Sequence, residues 1–417
     1  MRLLFVVQRY GAEVAGGAEL HCRQFATRLA DRGHDVDALS SCAVSYVTWD
    51  NEYPEGDTEL DGVKVTRLRV AQRRDARFFG PLDARVVWGR KPVPLYLQKE
   101  WMRMQGPWLP DLAPWLQIHA ADYDVVIFFT YLYYTTWAGL PVAAGLVPTV
   151  LHPTAHDEPP LALSLFDTVF RQPKAFAFST DEERALVQRR FGLRAPNGSI
   201  GIGFDLDPGD AAADEARFRA WYNLGDDPYL LFVGRLDPGK GSDELFDFFR
   251  AFKERNPGAL KLVVVGDPLK PLPPHPDVVV TGFVDEATKD ASYAGATALV
   301  QPSYFESFSM VLAEAWVHSR PALVQGHCDV LVGQCRRSNG GIPYRGFAEF
   351  ETAVQLLLDQ PALGRELGRR GRAYVESRYS WDAVLGRYER LLRHVADYPR
   401  MLRPTRPLRN EKDSWSG

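Results

Sequence analysis

Residues 301–317 read Gln-Pro-Ser-Tyr-Phe-Glu-Ser-Phe-Ser-Met-Val-Leu-Ala-Glu-Ala-Trp-Val. They follow a short apolar run, Thr297 to Val300, and open a helix. Strand, loop, helix is the setting in which parallel sheets place their ligands. Within the helix, spacings of three and four set Met310, Val311, Glu314 and Val317 on one face, so a carboxylate stands on a face otherwise fit for burial. A buried Glu needs a partner. Glu306 precedes the first turn, so two carboxylates seven residues apart can address two parts of one ligand where unpaired helix N–H groups attract anions. Spacing alone equally allows Glu306 as a loop acid, Ser307 or Ser309 as the N-cap and Glu314 as a solvated flank residue.

Working outward, the nearest chemistry lies between an apolar strand, Tyr229 to Val233, and a helix with an apolar stripe, Ser242 to Arg255. Joining them is Gly234-Arg235-Leu-Asp-Pro-Gly239-Lys240-Gly241. Cations, glycines and a helix start together make a diphosphate site by type: Arg235 offers a planar fork and Lys240 a point charge. The same letters nearly spell a P-loop, Gly-x4-Gly-Lys-Ser/Thr, but Gly241 stands where the magnesium-binding hydroxyl belongs, and Gly266-Asp267 poorly imitates the acidic strand end.

Further strands are expected at Leu260 to Val265 and Val278 to Val280, and the alternation continues to about Leu358. The opening is a βαβ unit: Leu3 to Val7 is a buried-type strand, and Gly11, Gly16 and Gly17 lead into an amphipathic segment from Ala18 to Ala30. The glycines do not fit Gly-x-Gly-x-x-Gly, which argues against an ordinary dinucleotide site. Strands at Val63 to Leu68, Asp124 to Thr130, Thr149 to His152 and Ala175 to Ser179 extend the first half. After the third comes His152-Pro-Thr-Ala-His156-Asp-Glu158, a polar cluster at a strand end, with His156 the leading candidate and His152 the reserve. Residues 71–120 form an insertion-like stretch without a clear period.

At 417 residues and 46% hydrophobic content the chain holds two or three domains with substantial cores. A net charge of −4 argues against a nucleic-acid partner. Cys22, Cys42, Cys328 and Cys335 have neither zinc spacing nor the density of a disulfide framework and read as reduced thiols. No run approaches the roughly 20 apolar residues that cross a bilayer. The expectation is a cytoplasmic protein with at most peripheral membrane contact.

Glu306, Phe308 and Glu314, with Pro302-Ser303 before and Arg320-Pro321 after, resemble the Glu-x7-Glu segment of the retaining glycosyltransferases of family 4. The Gly234-Arg235…Lys240-Gly241 loop resembles that family's diphosphate loop. Gly16-Gly17 resembles its glycine loop, and Gly282-Phe283 the loop that meets the nucleobase. One departure is that Ser307 and Ser309 stand where the family usually has Gly. The resemblance covers nearly the whole chain and is strongest from Tyr229 to Val324. It implies the GT-B fold, α/β with two doubly wound Rossmann-like domains facing each other across a cleft: an acceptor-side domain over 1–200, a nucleotide-sugar domain over 201–380, and a helix and tail over 381–417 that cross back. The turn 199–205 looks like the interdomain hinge.

Carried over residue by residue, the resemblance implies His156 and Glu306 as catalytic residues at the donor sugar. Gly16, Gly17, Arg235, Lys240, Gly282, Phe283, Ser309 and Met310 bind the donor, and Glu314 meets the ribose diol. The substrate is a nucleotide diphosphate sugar, with no metal and no other cofactor required, since no Asp-x-Asp site is evident. A non-catalytic nucleotide-sugar-binding module is the alternative, followed by the P-loop enzyme. The acceptor, a saccharide or glycoside, falls to the first domain. There the 64–115 stretch interleaves cations, Arg73, Arg74 and Arg77 among them, with aromatics such as Trp88. Such a surface suits a sugar carrying an anionic group or, second, a lipid-linked acceptor.

Overall fold

A computed structural model describes residues 1–397 except Ala15, Asp237 and 268–273; the tail expected from Pro399 lies outside the described residues. The chain divides into two compact units: residues 1–152 with 163–176 and 391 onward, and residues 153–162 with 177–390.

The first sheet is ordered β3-β4-β2-β1-β5-β6-β7-β8. Its strands are β1 (Arg2–Val6), β2 (Asp35–Ser41), β3 (Gly56–Leu60), β4 (Val63–Leu68), β5 (Val125–Phe129), β6 (Thr149–His152), β7 (Ala175–Phe178) and β8 (Asn197–Ser199). Strands β1 and β5 are buried on both faces, as parallel strands with covered faces must be, and read as the apolar runs Leu-Leu-Phe-Val and Val-Val-Ile-Phe-Phe. β1 pairs in parallel with β2 on one side and β5 on the other, so the strand order reverses at β1. β3 pairs antiparallel with β4 at the edge, joined to it through Asp61 and Gly62, both at positive φ (52° and 73°). That two-residue turn is the hairpin geometry Asp-Gly favours.

The second sheet is ordered β11-β10-β9-β12-β13-β14, with β9 (Tyr229–Val233), β10 (Lys261–Val265), β11 (Val278–Gly282), β12 (Ala298–Gln301), β13 (Ala322–Gln325) and β14 (Gly341–Tyr344). Its strands all pair in parallel. Against it packs the helix Ser242–Arg255, whose Leu245, Phe249 and Phe252 lie three and four residues apart and enter a core with Leu230, Phe232, Leu262 and Val264. Each such side chain contributes about 1.5–3 kcal/mol on burial. Asp243 and Glu244 in the first turn and Lys253 and Arg255 in the last complement the helix dipole. From β9 the chain steps outward to β10 and β11, then returns to the other side of β9 for β12, β13 and β14. The carboxyl ends of β9 and β12 therefore flank the point of reversal, where such sheets hold ligands.

The aperiodic stretch 71–120 folds as three helices, Ala76–Val86, Leu95–Gln105 and Leu112–His119. Its helical period is masked because Pro81, Pro94 and Gly106 interrupt runs of only two to three turns. The segment expected as a hinge is fastened within the second unit: Phe204 N–H donates to Tyr379 O at 2.8 Å, and Arg387 donates to Ile200 O at 2.8 Å. Among the described residues no helix is long and apolar enough to cross a membrane.

Candidate active site

At the reversal point of the second sheet, the loop after β9 and the loop after β12 meet. Lys240 closes a single 3-10 turn, Pro238–Lys240, and its Nζ donates to Glu306 Oε1 at 2.8 Å. The Glu306 side chain is only 10% exposed and also accepts from Gln301 Nε2 at 3.1 Å. An ammonium has three donors, so Lys240 can hold this carboxylate and a phosphate oxygen together. Arg235, exposed, stands two residues past the end of β9 at the same strand exit. Gly241 has φ +70°, and a Cβ there would stand 2.2 Å from Pro302 O. The two loops approach too closely for the hydroxyl residue that a P-loop needs at this position.

Glu314, half-exposed, is held by two donors. Tyr293 Oη donates to its Oε2 at 2.8 Å and Lys289 Nζ to its Oε1 at 3.2 Å. Burial opposes the Lys289 charge, but Glu314 and Glu286, the latter 2.7 Å away, outweigh it and hold the ammonium above its ordinary pKa. Lys289 and Tyr293 lie four apart on the helix Glu286–Ala294 and were not singled out by sequence; their spacing was the available signal. The face expected to be buried in the helix Met310–Val317 is corrected: Leu312, Ala313, Ala315, Trp316 and Val317 are buried, while Met310, Val311 and Glu314 are half-exposed. This helix is apolar nearly all round, so a stripe of apolar residues did not define its inner side.

Ser309, at a position where the resembling family has Gly, adopts φ +72°. The left-handed region costs an L-residue roughly 1–2 kcal/mol. Gln301 Nε2 donates to Ser309 Oγ at 3.0 Å, so one Gln steadies both Ser309 and Glu306. In the loop after β11, Gly282 takes φ +73°, and the Phe283 N–H donates to Asp267 Oδ1 at 3.1 Å. That backbone donor is thus engaged, and what the loop presents is the Phe283 ring, 80% exposed.

His156 belongs to the same compact unit as these loops. Its Nδ1 lies 3.6 Å from Glu158 Oε1. Burial alone would lower its pKa; Glu158, with a smaller pull from Glu306 set against Lys240, outweighs that and raises it. His152 is instead a core residue of the first unit, 2% exposed and stacked on Phe129 at 4.2 Å, with burial depressing its pKa. Two further residues missed by sequence lie beside His156. Glu183 is buried and accepts from Ala155 N–H at 2.8 Å and Ser179 N–H at 2.6 Å, and burial pushes its pKa up to about 7. Thr180 caps the same helix and donates to Ser307 O at 2.9 Å. A cavity of about 290 Å³ adjoins them, lined by Ala155, Asp157, Glu183, Tyr304, Glu306 and Asp329 among others. Among the described residues no group of three or more His, Cys, Asp or Glu could hold a metal ion.

In the first unit, Gly16 and Gly17 lie at the exit of β1, Gly16 as N-cap of the helix Gly17–Asp31. A Cβ on Gly16 would meet Glu19 Oε2 at 2.3 Å and Arg9 Nη2 at 2.9 Å. Arg9 and Glu19 form a buried ion pair with Nε to Oε1 at 2.9 Å, joined by Gln8 at 2.8 Å, which sequence reading passed over. In the basic stretch, Arg73 pairs with Asp50 at 2.7 Å and Arg77 with Asp75 at 2.6 Å. Arg74 is built into the fold: it donates to the carbonyl oxygens of Met104 and Gln105 and covers the Phe79 ring at 4.4 Å. Burial brings its pKa down to about 10. Trp88 is 70% exposed.

Residues 227–359 match the family described as "Glycosyl transferases group 1", and residues 16–198 match the "Glycosyl transferase 4-like domain". A D-inositol 3-phosphate glycosyltransferase of Acidothermus cellulolyticus is 31% identical over 424 residues, covering 91% of this chain and 86% of that protein. A glycogen synthase of Mycobacterium tuberculosis is 26% identical over 408 residues, 92% of each. Among solved structures, the sucrose-phosphate synthase of Thermosynechococcus elongatus superposes with a TM-score of 0.70 at 21% identity, covering 95% of this chain and 99% of that one.

Proposed function

This chain belongs to the family 4-type group 1 glycosyltransferases with the GT-B fold, and from that premise we propose that it moves a sugar from a nucleotide diphosphate to an acceptor hydroxyl with retention of configuration and without a metal. The observation that carries the reading is the 2.8 Å contact of Lys240 with Glu306, which joins the diphosphate loop to the first acid of the Glu-x7-Glu segment at the sheet's reversal point. In this reading Arg235, Lys240 and the start of the helix Ser242–Arg255 stabilise the negative charge that grows on the leaving diphosphate. Glu306 binds donor-sugar hydroxyls, Glu314 accepts from the ribose diol, and the Phe283 ring gives the base a stacking face. His156, whose pKa Glu158 raises against the opposing effect of burial, presents an N–H to the sugar.

The acceptor is a saccharide or polyol hydroxyl bound by the 64–115 segment, through Arg73, Arg77 and Trp88 rather than Arg74. Two relatives frame the choice: one acts, by its name, on an inositol phosphate and the other on glycogen. The basic segment favours an acceptor with an anionic group.

The test is calorimetry and thermal stabilisation with UDP-, ADP- and GDP-hexoses and the free diphosphates. One base should bind, and Arg235→Ala or Lys240→Ala should weaken it roughly ten- to a hundredfold, the loss of a charge-assisted bond of about 1.5–3 kcal/mol. Unchanged affinity in both variants would remove the site assignment.

A further inference from the structure

The two loops that carry His156 and Glu306 each contain a residue in the left-handed region that is not glycine. Thr154, two residues before His156, has φ +50°, and Ser309, three after Glu306, has φ +72°. A β-branched residue at positive φ is an outlier, and such conformations persist only where their surroundings over-determine them. Both loops are pinned by one element, the first turn of the helix Asp181–Phe191.

Thr180-Asp-Glu-Glu183 reads as a capping box, in which the Glu would reach back to the N-cap's own N–H. Half of the box is made: Thr180 Oγ1 accepts from Glu183 N–H at 3.1 Å. The other half is diverted. Glu183 directs one oxygen to Ser179 N–H and the other across to Ala155 N–H, next to both Thr154 and His156. Thr180 Oγ1, already accepting, donates to Ser307 O, next to Glu306. The turn is itself anchored, because Glu182 receives two bonds from Arg337, at 2.6 and 3.0 Å, on the helix Asp329–Ser338. Glu183 is 1% exposed and Thr180 2%, so neither is there for solubility.

We propose that Thr180 and Glu183 are positioning residues that hold the His156 loop and the Glu306 loop in register with each other. The proposal rests on the glycosyltransferase reading of those two residues. A carboxylate is required at 183 because both its oxygens accept; an amide keeps one acceptor and turns an NH₂ against the second N–H. Burial raises the Glu183 pKa and the charge of His156 opposes that rise, so the ionisation of Glu183 senses this loop.

The experiment uses the full chain with Glu183→Gln, Thr180→Val and the control Thr180→Ser. Nucleotide-sugar hydrolysis should lose tenfold or more in kcat in the first two, with donor KM and free nucleotide diphosphate affinity within twofold of wild type, and Thr180→Ser should restore activity. The His156 Cε1–H resonance should move in Glu183→Gln and titrate with an altered pKa. Wild-type kcat together with an unmoved His156 resonance would overturn the proposal. A folded wild type that binds no nucleotide diphosphate would defeat the glycosyltransferase reading instead, and the resonance would still decide whether Glu183 holds the loop. If Glu183→Gln does not fold, amide exchange in the wild type decides: Ala155 N–H should be strongly protected, and exchange at the rate of an open loop would refute the bond on which the proposal stands.

Discussion

Two charged regions of this molecule looked alike in the sequence and differ in the structure. In the second unit opposite charges are brought together: Lys240 meets Glu306 across the loops after β9 and β12, and Lys289 meets Glu314 between two helices. In the 64–115 stretch, the cations are dispersed among local partners. Arg73 takes Asp50, Arg77 takes Asp75, Arg103 takes Glu100, and Lys91 donates to the carbonyl oxygens of Val86 and Val87. The difference teaches that a local excess of Arg and Lys counts charges but does not count the carbonyl and carboxylate oxygens that fold back onto them. Motif spacing at a strand end, by contrast, reports a place in the fold.

The comparison breaks most sharply at the two acids. Glu306→Gln should reduce sugar transfer by about a hundredfold or more, as loss of an interaction that acts in the transition state does, while leaving nucleotide diphosphate affinity nearly unchanged. Glu314→Ala should do the reverse, weakening the nucleotide itself. Equal losses of nucleotide affinity in the two variants, measured by calorimetry, would contradict the separate roles.

A smaller effect concerns the buried Glu183. Its folded pKa of about 7 lies above the ordinary carboxyl value, so the folded state holds the proton more tightly. The stability this contributes is fully present below about pH 4.5 and is lost as pH rises through about 7, up to roughly 3 kcal/mol at 1.36 kcal/mol per pKa unit. Chemical denaturation from pH 4.5 to 8.5 should show this slope in the wild type and its loss in Glu183→Gln. An identical slope in the two proteins would show that Glu183 does not titrate in this range.

Within the basic stretch itself, Arg74→Ala should destabilise the fold by about 1–3 kcal/mol, because it takes the donor from the part-buried Met104 carbonyl and uncovers the Phe79 ring. Arg73→Glu with Arg77→Glu should leave the melting temperature nearly unchanged, raise the acceptor KM in a salt-sensitive way and spare the donor KM. If acceptor KM and its salt dependence stay at wild-type values, the segment is structural and the acceptor binds elsewhere.

What could be read in advance follows the same division. Buried parallel strands announce themselves as apolar runs, so β1, β5, β9 and β10 were legible, and the loops at their carboxyl ends could be placed. The edge strand β3 was not, because its Gly-Asp-Thr-Glu-Leu has no apolar face; only Asp61-Gly62 after it signals a hairpin. Lys240, Glu306 and His156 were found because they sit in motifs at strand exits. Glu183, Tyr293 and Lys289 were not, since each acts on a residue or loop brought to it by the sheet order, at separations of 21 to 28 residues that no local pattern encodes. The diverted capping box is the clearest case: the four letters were visible, but the partner of the Glu was 28 residues away.

The most direct test of the central claim is the anomeric configuration of the product. Once the donor screen has identified a nucleotide sugar, the reaction with an acceptor should be followed by proton NMR in the presence of EDTA. Transfer should proceed under chelation and yield a glycoside with the donor's own anomeric configuration. An inverted product, or complete loss of activity that Mg²⁺ restores, would contradict the account.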